Sequence, residues 1–192
     1  TTRENFLAEK NIMRMAERGK ESYNSILTKE QVAKGIKEYQ KEKGMQLTKD
    51  QAKAVEAVLT NRDFVMVMQG YAGTGKTSAF EAINTIAKEH GYTITGLSET
   101  NVAVNEMRKV GIDAYTVTKA LNDKEVMEKI KGGSIVIVDE ASFVGNKNME
   151  KIMKNAFESR TQVILSGDKD QLPSINAGQP FKDLQDKGKV NI

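Results

Sequence analysis

Gly70-Tyr71-Ala72-Gly73-Thr74-Gly75-Lys76-Thr77 has the spacing G-x-x-x-x-G-K-T, and these residue types suit the holding of a polyphosphate. The glycines allow backbone N–H groups to close around one point. Lys76 is placed to reach β- and γ-phosphates, and the Thr77 hydroxyl to sit on Mg²⁺. Gly70, Gly73, Thr74, Gly75, Lys76, Thr77 and Ser78 are therefore the candidate phosphate-binding residues. Asp139-Glu140 offers the complementary chemistry, with Asp139 to hold a hydrated Mg²⁺ and Glu140 to polarise an attacking water. A third group, Gly167-Asp168-Lys169-Asp170-Gln171, ends in an amide able to hydrogen-bond a γ-phosphate or its water. Each has a plainer reading when taken alone: a tight glycine turn, a pair of surface acids, an Asp-rich turn closed by Pro173.

The flanking elements decide between these readings. Phe64-Val65-Met66-Val67-Met68 is an apolar run fit for a buried strand. Thr77 to Glu89 reads as a helix with Phe80, Ile83 and Ala87 on one stripe and Gly91 as its stop. A strand, a glycine turn and a helix start place several N–H groups and a positive dipole end around one point. A dinucleotide fingerprint fails, because Gly73-x-Gly75 is followed by Lys, Thr and Ser with no third glycine at the helix packing position. The motif is that of a nucleoside triphosphate site. Ser134-Ile135-Val136-Ile137-Val138, continuous and β-branched, is the clearest strand and delivers Asp139-Glu140 at its carboxyl end. In an open parallel sheet that end faces the same crevice as the phosphate loop.

The remaining chain is read in the same way. Thr93–Leu97 is a strand leading through Ser98-Glu99-Thr100-Asn101 into a helix that carries Val104, Met107 and Val110. The hydroxyl and amide groups at that junction either cap the helix or bind a phosphodiester backbone. Ala114–Val117 is a short link to a helix ending near Leu121, and a charged helix runs from Asp123 to Lys131. A helix over about Asn148–Phe157 and a strand at Gln162–Leu165 follow, then a loop from Ser174 to Phe181 and a short helix from Lys182 to Lys187. Upstream, Leu47–Gln51 heads a helix with Ala52, Val55, Val58 and Leu59 facing inward. Gln51 either completes a capping box begun by Thr48 or reads an adenine edge, and its place just before the phosphate loop favours adenine. Residues 1–46 read as two helices, with packing on the main domain favoured over a DNA-touching arm. Thr1-x-x-Glu4 and Thr28-x-x-Gln31 are their capping boxes; Phe6, Leu7, Ile12, Met13 and Met15 face one, and Val32, Ile36 and Tyr39 the other, which stops at Gly44.

Composition narrows the classes. At 192 residues and 29% charged the chain is an ordinary globular sequence, and its net +3 is carried by residues 1–46, a mild bias toward an anionic partner. With no cysteine, disulfides and thiolate sites are excluded, and a reducing, cytoplasmic setting is expected. No apolar run is long enough to span a membrane, and no signal peptide opens the chain. The single histidine, His90, falls at a helix end and suits a cap. The start at Thr1 suggests a piece of something longer.

Gln51, the GYAGTGKT loop, Val138-Asp139-Glu140-Ala141-Ser142 and Gly167–Gln171 together resemble the first RecA-like lobe of a superfamily-one DNA helicase of the RecD-like branch. Ala103–Arg108, Gly111–Thr116, Val144-Gly145-Asn146 and Gly178-Gln179-Pro180-Phe181 sharpen this to the helicase part of conjugative relaxase–helicases, the TraI type. The resemblance covers residues 47–192. It implies an α/β, RecA-like P-loop three-layer sandwich with a mostly parallel sheet of about five strands, bearing residues 1–46 as a helical extension. It also implies a motor that binds ATP and Mg²⁺ and moves 5′ to 3′ on single-stranded DNA during plasmid transfer. Under it Ser98, Thr100, Asn101 and Thr116 become DNA-backbone contacts, and Gln171 links nucleotide state to DNA. The intact loop marks an active copy, since such proteins can carry a degenerate second module. The family's second lobe supplies arginines that neutralise the γ-phosphate, and no such motif is present here. The relaxase half, with its histidine-bound metal and nucleophilic tyrosine, is also absent from this sequence. Both become expected partners within a longer chain, alongside other conjugation machinery and without membrane insertion. The competing class is a non-catalytic DNA-binding or scaffold module that keeps the fold; a transport ATPase is disfavoured because its signature before the Asp-Glu strand is missing.

Overall fold

The structure, a computed structural model, describes residues 2–70, 75–167 and Leu184. Gly73, Thr74, Gln171, the Ser174–Phe181 loop and the rest of the Lys182–Lys187 helix lie outside the described residues. Five strands form one sheet in the order β1-β5-β4-β2-β3, and every pairing is parallel. They are β1 (Val65–Gln69), β2 (Ile94–Ser98), β3 (Asp113–Thr116), β4 (Ile135–Val138) and β5 (Gln162–Gly167). Among the described residues, eight α-helices cover the two faces. The fold is the α/β three-layer sandwich implied by the family resemblance.

Side-chain alternation explains the layers. The central β4 reads Ile-Val-Ile-Val with every residue fully buried, as a strand covered on both faces must be. Val136 and Val138 join Val65, Val67, Leu97, Val163 and Leu165 in one core, against α1 (Arg3–Arg18), α6 (Val117–Asn122), α7 (Lys124–Lys131) and α8 (Asn146–Glu158). Ile135 and Ile137 join Met66, Met68, Ile94 and Ile164 in the other, against α2 (Lys29–Lys43), α3 (Lys49–Leu59), α4 (Lys76–Glu89) and α5 (Asn101–Lys109). Because all five strands are parallel, their carboxyl ends line one edge of the sheet.

Three local expectations change. The expected link at Ala114–Val117 is largely strand: β3 pairs with β2 in register from Thr95↔Asp113 to Ser98↔Thr116. Four residues of mixed polarity carry little strand signal, and the neighbour's open edge supplies the reason to pair. The first helix is capped by Thr2, whose hydroxyl accepts from Asn5 N–H, rather than by a Thr1–Glu4 box. Its buried stripe is Asn5, Ala8, Ile12 and Ala16, while Phe6 and Leu7 stand 53% and 48% exposed. Small residues at steps of four let α1 lie close to α8, a requirement that outweighs side-chain size. The boxes at Thr28–Gln31 and Thr48–Gln51 form as read, and Gly44 ends α2 in the left-handed conformation. His90 caps α4, its Nδ1 lying 3.0 Å from the Ile86 carbonyl oxygen.

The amino-terminal segment is tied through backbone as well as side chains to the stretch that leads from α3 into β1. Gly19 C=O accepts from Phe64 N–H at 2.8 Å, Arg62 C=O from Tyr23 N–H, and Leu59 C=O from Leu27 N–H. The Arg160 guanidinium sits 4.2 Å over the Tyr23 ring and donates to the Ser22 carbonyl. On the opposite face Tyr39, 2% exposed, donates to Glu81 of α4 at 2.7 Å. Burial, with the Glu81 carboxylate beside it, pushes that phenol well above its ordinary pKa. Gly35 lies so close to α4 that a Cβ there would meet Ile86 Cγ2 at 2.8 Å.

Gly19 is the tightest point of this attachment, since a Cβ would lie 2.1 Å from Phe64 Cβ, next to the start of β1. Phe64 is fully buried, so neither side can yield cheaply. Gly19→Ala should lower the unfolding free energy by about 1–3 kcal/mol, the usual cost of overpacking a core. Urea denaturation of the two proteins measures this directly.

Candidate functional site

The site assembles along the carboxyl edge of the sheet in strand order. β1 ends at Gln69 and passes into Gly70, whose N–H donates to the carbonyl of Gly167 at the end of β5. β4 delivers Asp139, whose N–H donates to Leu97 C=O on β2 at 2.8 Å. β2 ends at Ser98 and β3 at Thr116, one directly opposite the other. Candidate phosphate, carboxylate and hydroxyl groups thus follow one another across a single crevice mouth, where open α/β sheets bind ligands.

Lys76 and Asp139 converge at its centre: Lys76 Nζ lies 2.6 Å from Asp139 Oδ1, with the carboxylate almost fully buried. Lys76 is the first residue of α4, and Gly75 before it is left-handed at φ +78°. Glycine is required there twice over, because a Cβ would also fall 2.1 Å from Gln51 Nε2. The Gly75 carbonyl accepts from Gln51 Nε2 at 2.9 Å and from Ser78 N–H at 3.1 Å. Thr77 is exposed and Ser78 partly so, both on the first turn of α4.

Gln51 does something the sequence left between two choices. Its Oε1 accepts from Thr48 N–H at 2.8 Å, completing the capping box, while its Nε2 ties α3 to the phosphate loop. Both ends of the amide are engaged, so the capping arrangement is the one formed. A cavity of about 260 Å³ opens beside it, lined by Asp50, Gln51, Ala54, Met68, Gly70 and Lys76 among others. A second of about 160 Å³ is bounded by Lys76, Thr77, Val102, Asp139 and Glu140 among others. Lys76 lines both.

Glu140 adopts φ +52°, a left-handed conformation uncommon for a residue with a side chain. Its N–H donates to Asp139 Oδ1 at 2.9 Å, and its Oε2 accepts from Thr100 Oγ at 2.9 Å, with Ser98 Oγ further off at 3.5 Å. Thr100 Oγ also accepts from Ala103 N–H and so caps α5, and Thr116 Oγ likewise caps α6 through Lys119 N–H. The candidate hydroxyls are all caps or carboxylate partners. Ser98 is fully buried, so in this conformation it offers no surface to a DNA backbone; Thr100 and Asn101 are exposed and Thr116 partly so. The Thr100–Glu140 bond spans 40 positions, and nothing in either local motif announces it.

The donor set fits Mg²⁺. A hydroxyl at Thr77 and a carboxylate at Asp139 are hard oxygen donors, and Mg²⁺ is commonly held by one or two such groups together with phosphates and waters. Among the described residues no cluster of three or more His, Cys, Asp or Glu forms an all-protein metal site. Among them also no helix is long and apolar enough to cross a membrane.

A strand, a glycine-ended loop and a helix start, with a strand-end aspartate facing the loop lysine on a parallel sheet, define a P-loop nucleotide-binding lobe of the RecA-like class. Residues 46–191 match the family model described as AAA domain, and the chain belongs to that family; its lobe is of the TraI-type superfamily-one helicase kind. It is 32% identical to the multifunctional conjugation protein TraI of Escherichia coli over its whole length, spanning 11% of that protein. To the ATP-dependent RecD2 DNA helicase of Deinococcus radiodurans it is 29% identical, with 70% of this chain and 19% of that protein covered. Among solved structures, the crystal structure of Pif1 helicase from Candida albicans shares the fold at a TM-score of 0.51 and 20% identity, covering 68% of this chain and 34% of that one. The chain spans less than a fifth of the length of these two sequence relatives.

Between Ser98 and Thr100, the half-buried Glu99 has a carboxylate oxygen, Oε1, enclosed without a hydrogen-bond partner. Burial disfavours its charged form and pushes its pKa up. A carboxyl whose folded pKa exceeds its unfolded value contributes stability below the unfolded pKa, and that contribution is lost as pH rises through the folded one. Glu99→Gln should therefore melt above the wild type at about pH 8, with the gap closing by about pH 4. Thermal melts at the two pH values read the difference.

Proposed function

We propose that this chain is the ATP-binding motor lobe of an ATP-dependent 5′–3′ single-stranded DNA translocase or helicase acting in conjugative DNA transfer. The observation that carries the reading is the 2.6 Å approach of Lys76 and Asp139 at the mouth shared by the phosphate loop and the ends of β4 and β2. The names of the relatives, a conjugation protein and DNA helicases, support the setting. In this reading the N–H groups at the start of α4 and the ammonium of Lys76 hold the triphosphate. Thr77 and Asp139 hold the Mg²⁺, which supplies charge neutralisation on the phosphates when bound. Glu140 accepts a proton from the attacking water, Gln171 senses the γ-phosphate, and the cavity beside Gln51 takes the base. Thr100, Asn101 and Thr116 meet the DNA backbone. A second lobe and a relaxase domain in the same longer chain complete the machine, and residues 1–46 act as the lobe's helical extension.

ATP hydrolysis by the full-length protein, with and without single-stranded DNA, tests this. Lys76→Ala and Glu140→Gln should each lower kcat about a hundredfold or more, as loss of a main charge-stabilising or proton-accepting group does, while leaving DNA affinity in place. Undiminished turnover in either variant would overturn the assignment. The 192-residue lobe by itself should turn over about a thousandfold more slowly than the full-length protein, because the partner lobe's arginines are missing. Unwinding of duplexes with single 5′ or 3′ tails reads the polarity.

A further inference from the structure

Ser166, the fifth residue of β5, has no part in the function proposed above. It is fully buried, and its hydroxyl has no hydrogen-bond partner among the described residues. A buried strand position filled in this way is less stable than one filled by alanine or valine, because an unpaired hydroxyl keeps its desolvation penalty. Its place in the sheet is specific. Ser166 pairs with Met68 on β1, and on the other side Val138 of β4 pairs with Leu165, so the next step sets Asp139 beside Ser166. Leu165 belongs to the core under α8 and Ile164 to the core under α4, and side chains alternate along a strand. Ser166 therefore points to the α4 side, in a row between Met68 and Asp139. Met68 and Lys76 line the cavity beside Gln51, while Asp139 and Lys76 line the smaller one. The hydroxyl thus stands between the two hollows, next to the carboxylate that Lys76 Nζ meets at 2.6 Å. Thr95 also lacks a partner, but it lies two positions before Leu97 and so on the opposite face.

From this we infer that Ser166 is a further binding residue of the nucleotide site, its oxygen accepting a hydrogen bond from a water on the Mg²⁺ that Thr77 and Asp139 hold. Mg²⁺ dehydrates reluctantly and keeps several waters when bound. Such waters turn their oxygens to the metal and act as donors, so each needs an acceptor beside it. Asp139 supplies one acceptor, and Ser166, adjacent on the same face, supplies the next. A serine oxygen has lone pairs to accept with, which alanine and valine lack. Without ligand the Lys76 ammonium lies against Asp139. Under the proposed function that ammonium turns to the phosphates, and the space beside Asp139 and Ser166 goes to the hydrated ion. The hydroxyl is then satisfied in the bound state alone. The inference rests on the Mg²⁺–nucleotide reading of this site and adds a residue to it.

The test uses the full-length protein and a fluorescent ADP, with binding read by anisotropy in EDTA and across a Mg²⁺ titration. Ser166→Ala should weaken binding in Mg²⁺ about three- to tenfold, the effect of one hydrogen bond, and leave binding in EDTA unchanged. Its ligand-free melting temperature should be at or above that of the wild type, because an unpaired buried polar group is gone. Ser166→Cys, close to serine in size but a weak acceptor, should behave like Ser166→Ala. Ser166→Thr, which keeps the hydroxyl, should retain the wild-type response to Mg²⁺. A purely structural serine would instead lower the melting temperature on replacement and weaken binding equally with and without Mg²⁺. Either that pattern, or a wild-type Mg²⁺ response in both Ser166→Ala and Ser166→Cys, overturns the inference. Asp139→Asn separates the two levels. If it loses the Mg²⁺ dependence while the Ser166 variants keep it, only the role of Ser166 fails; if the wild type and Asp139→Asn both bind ADP alike with and without Mg²⁺, the reading of the site fails and Ser166 with it.

Discussion

Parallel pairing of five strands is the constraint from which everything else in this molecule follows. A parallel strand cannot be reached by a tight hairpin, so each of the four links between strands is long and carries a helix that lies across a face of the sheet. Both faces are thereby covered, and the central strands must be apolar throughout. What remains open is the row of carboxyl ends. Gly70, Gly167, Asp139, Ser98 and Thr116 stand in that row because β1, β5, β4, β2 and β3 stand in that order. Gly70 lies toward one end of the crevice and Thr116 toward the other, with Asp139 and Glu140 between them.

The Lys76–Asp139 pair ties the start of α4 to the end of β4. Desolvating a carboxylate is costly unless it is paired and hydrogen-bonded, and Asp139 answers both needs with the ammonium and with Glu140 N–H. Under the proposed function a triphosphate and its Mg²⁺ would call on the same two charges, so binding would replace one set of opposite charges by another rather than uncover a bare carboxylate. Gln51 plays a comparable part for the loop. By bonding Gly75 C=O it connects the loop to α3, which is itself packed on α4 and α2.

The helices of residues 3–43 share in this framework. α1 lies on α8 and α2 on α4, on opposite faces of the sheet, and the segment between them adds backbone bonds to the start of β1. α4 carries Lys76, Thr77 and Ser78, so its position is determined partly by the Tyr39–Glu81 bond and by the closeness that Gly35 allows. This attachment gives the amino-terminal helices a structural hold on α4, the element that carries Lys76.

Much was legible from the chain alone, because the relevant signals are local. The glycine spacing before Lys76, the four β-branched residues before Asp139, and the boxes at Thr28 and Thr48 each depend on neighbours a few positions away, and their physics is complete within a turn or a strand. The alternation of apolar strands with helices was legible in the same way, while the three-layer arrangement came from the family resemblance. The structure alone made β3 a strand, since Asp113–Thr116 becomes one only by pairing with β2. It chose Ala8, Ile12 and Ala16 over Phe6 and Leu7 as the buried face of α1, because the distance to α8 decides which side chains fit. It engaged both ends of the Gln51 amide, buried Ser98, and joined Thr100 to Glu140. Those outcomes are contacts between residues far apart in the chain, and their energies depend on distances that only the packed sheet and its helices define.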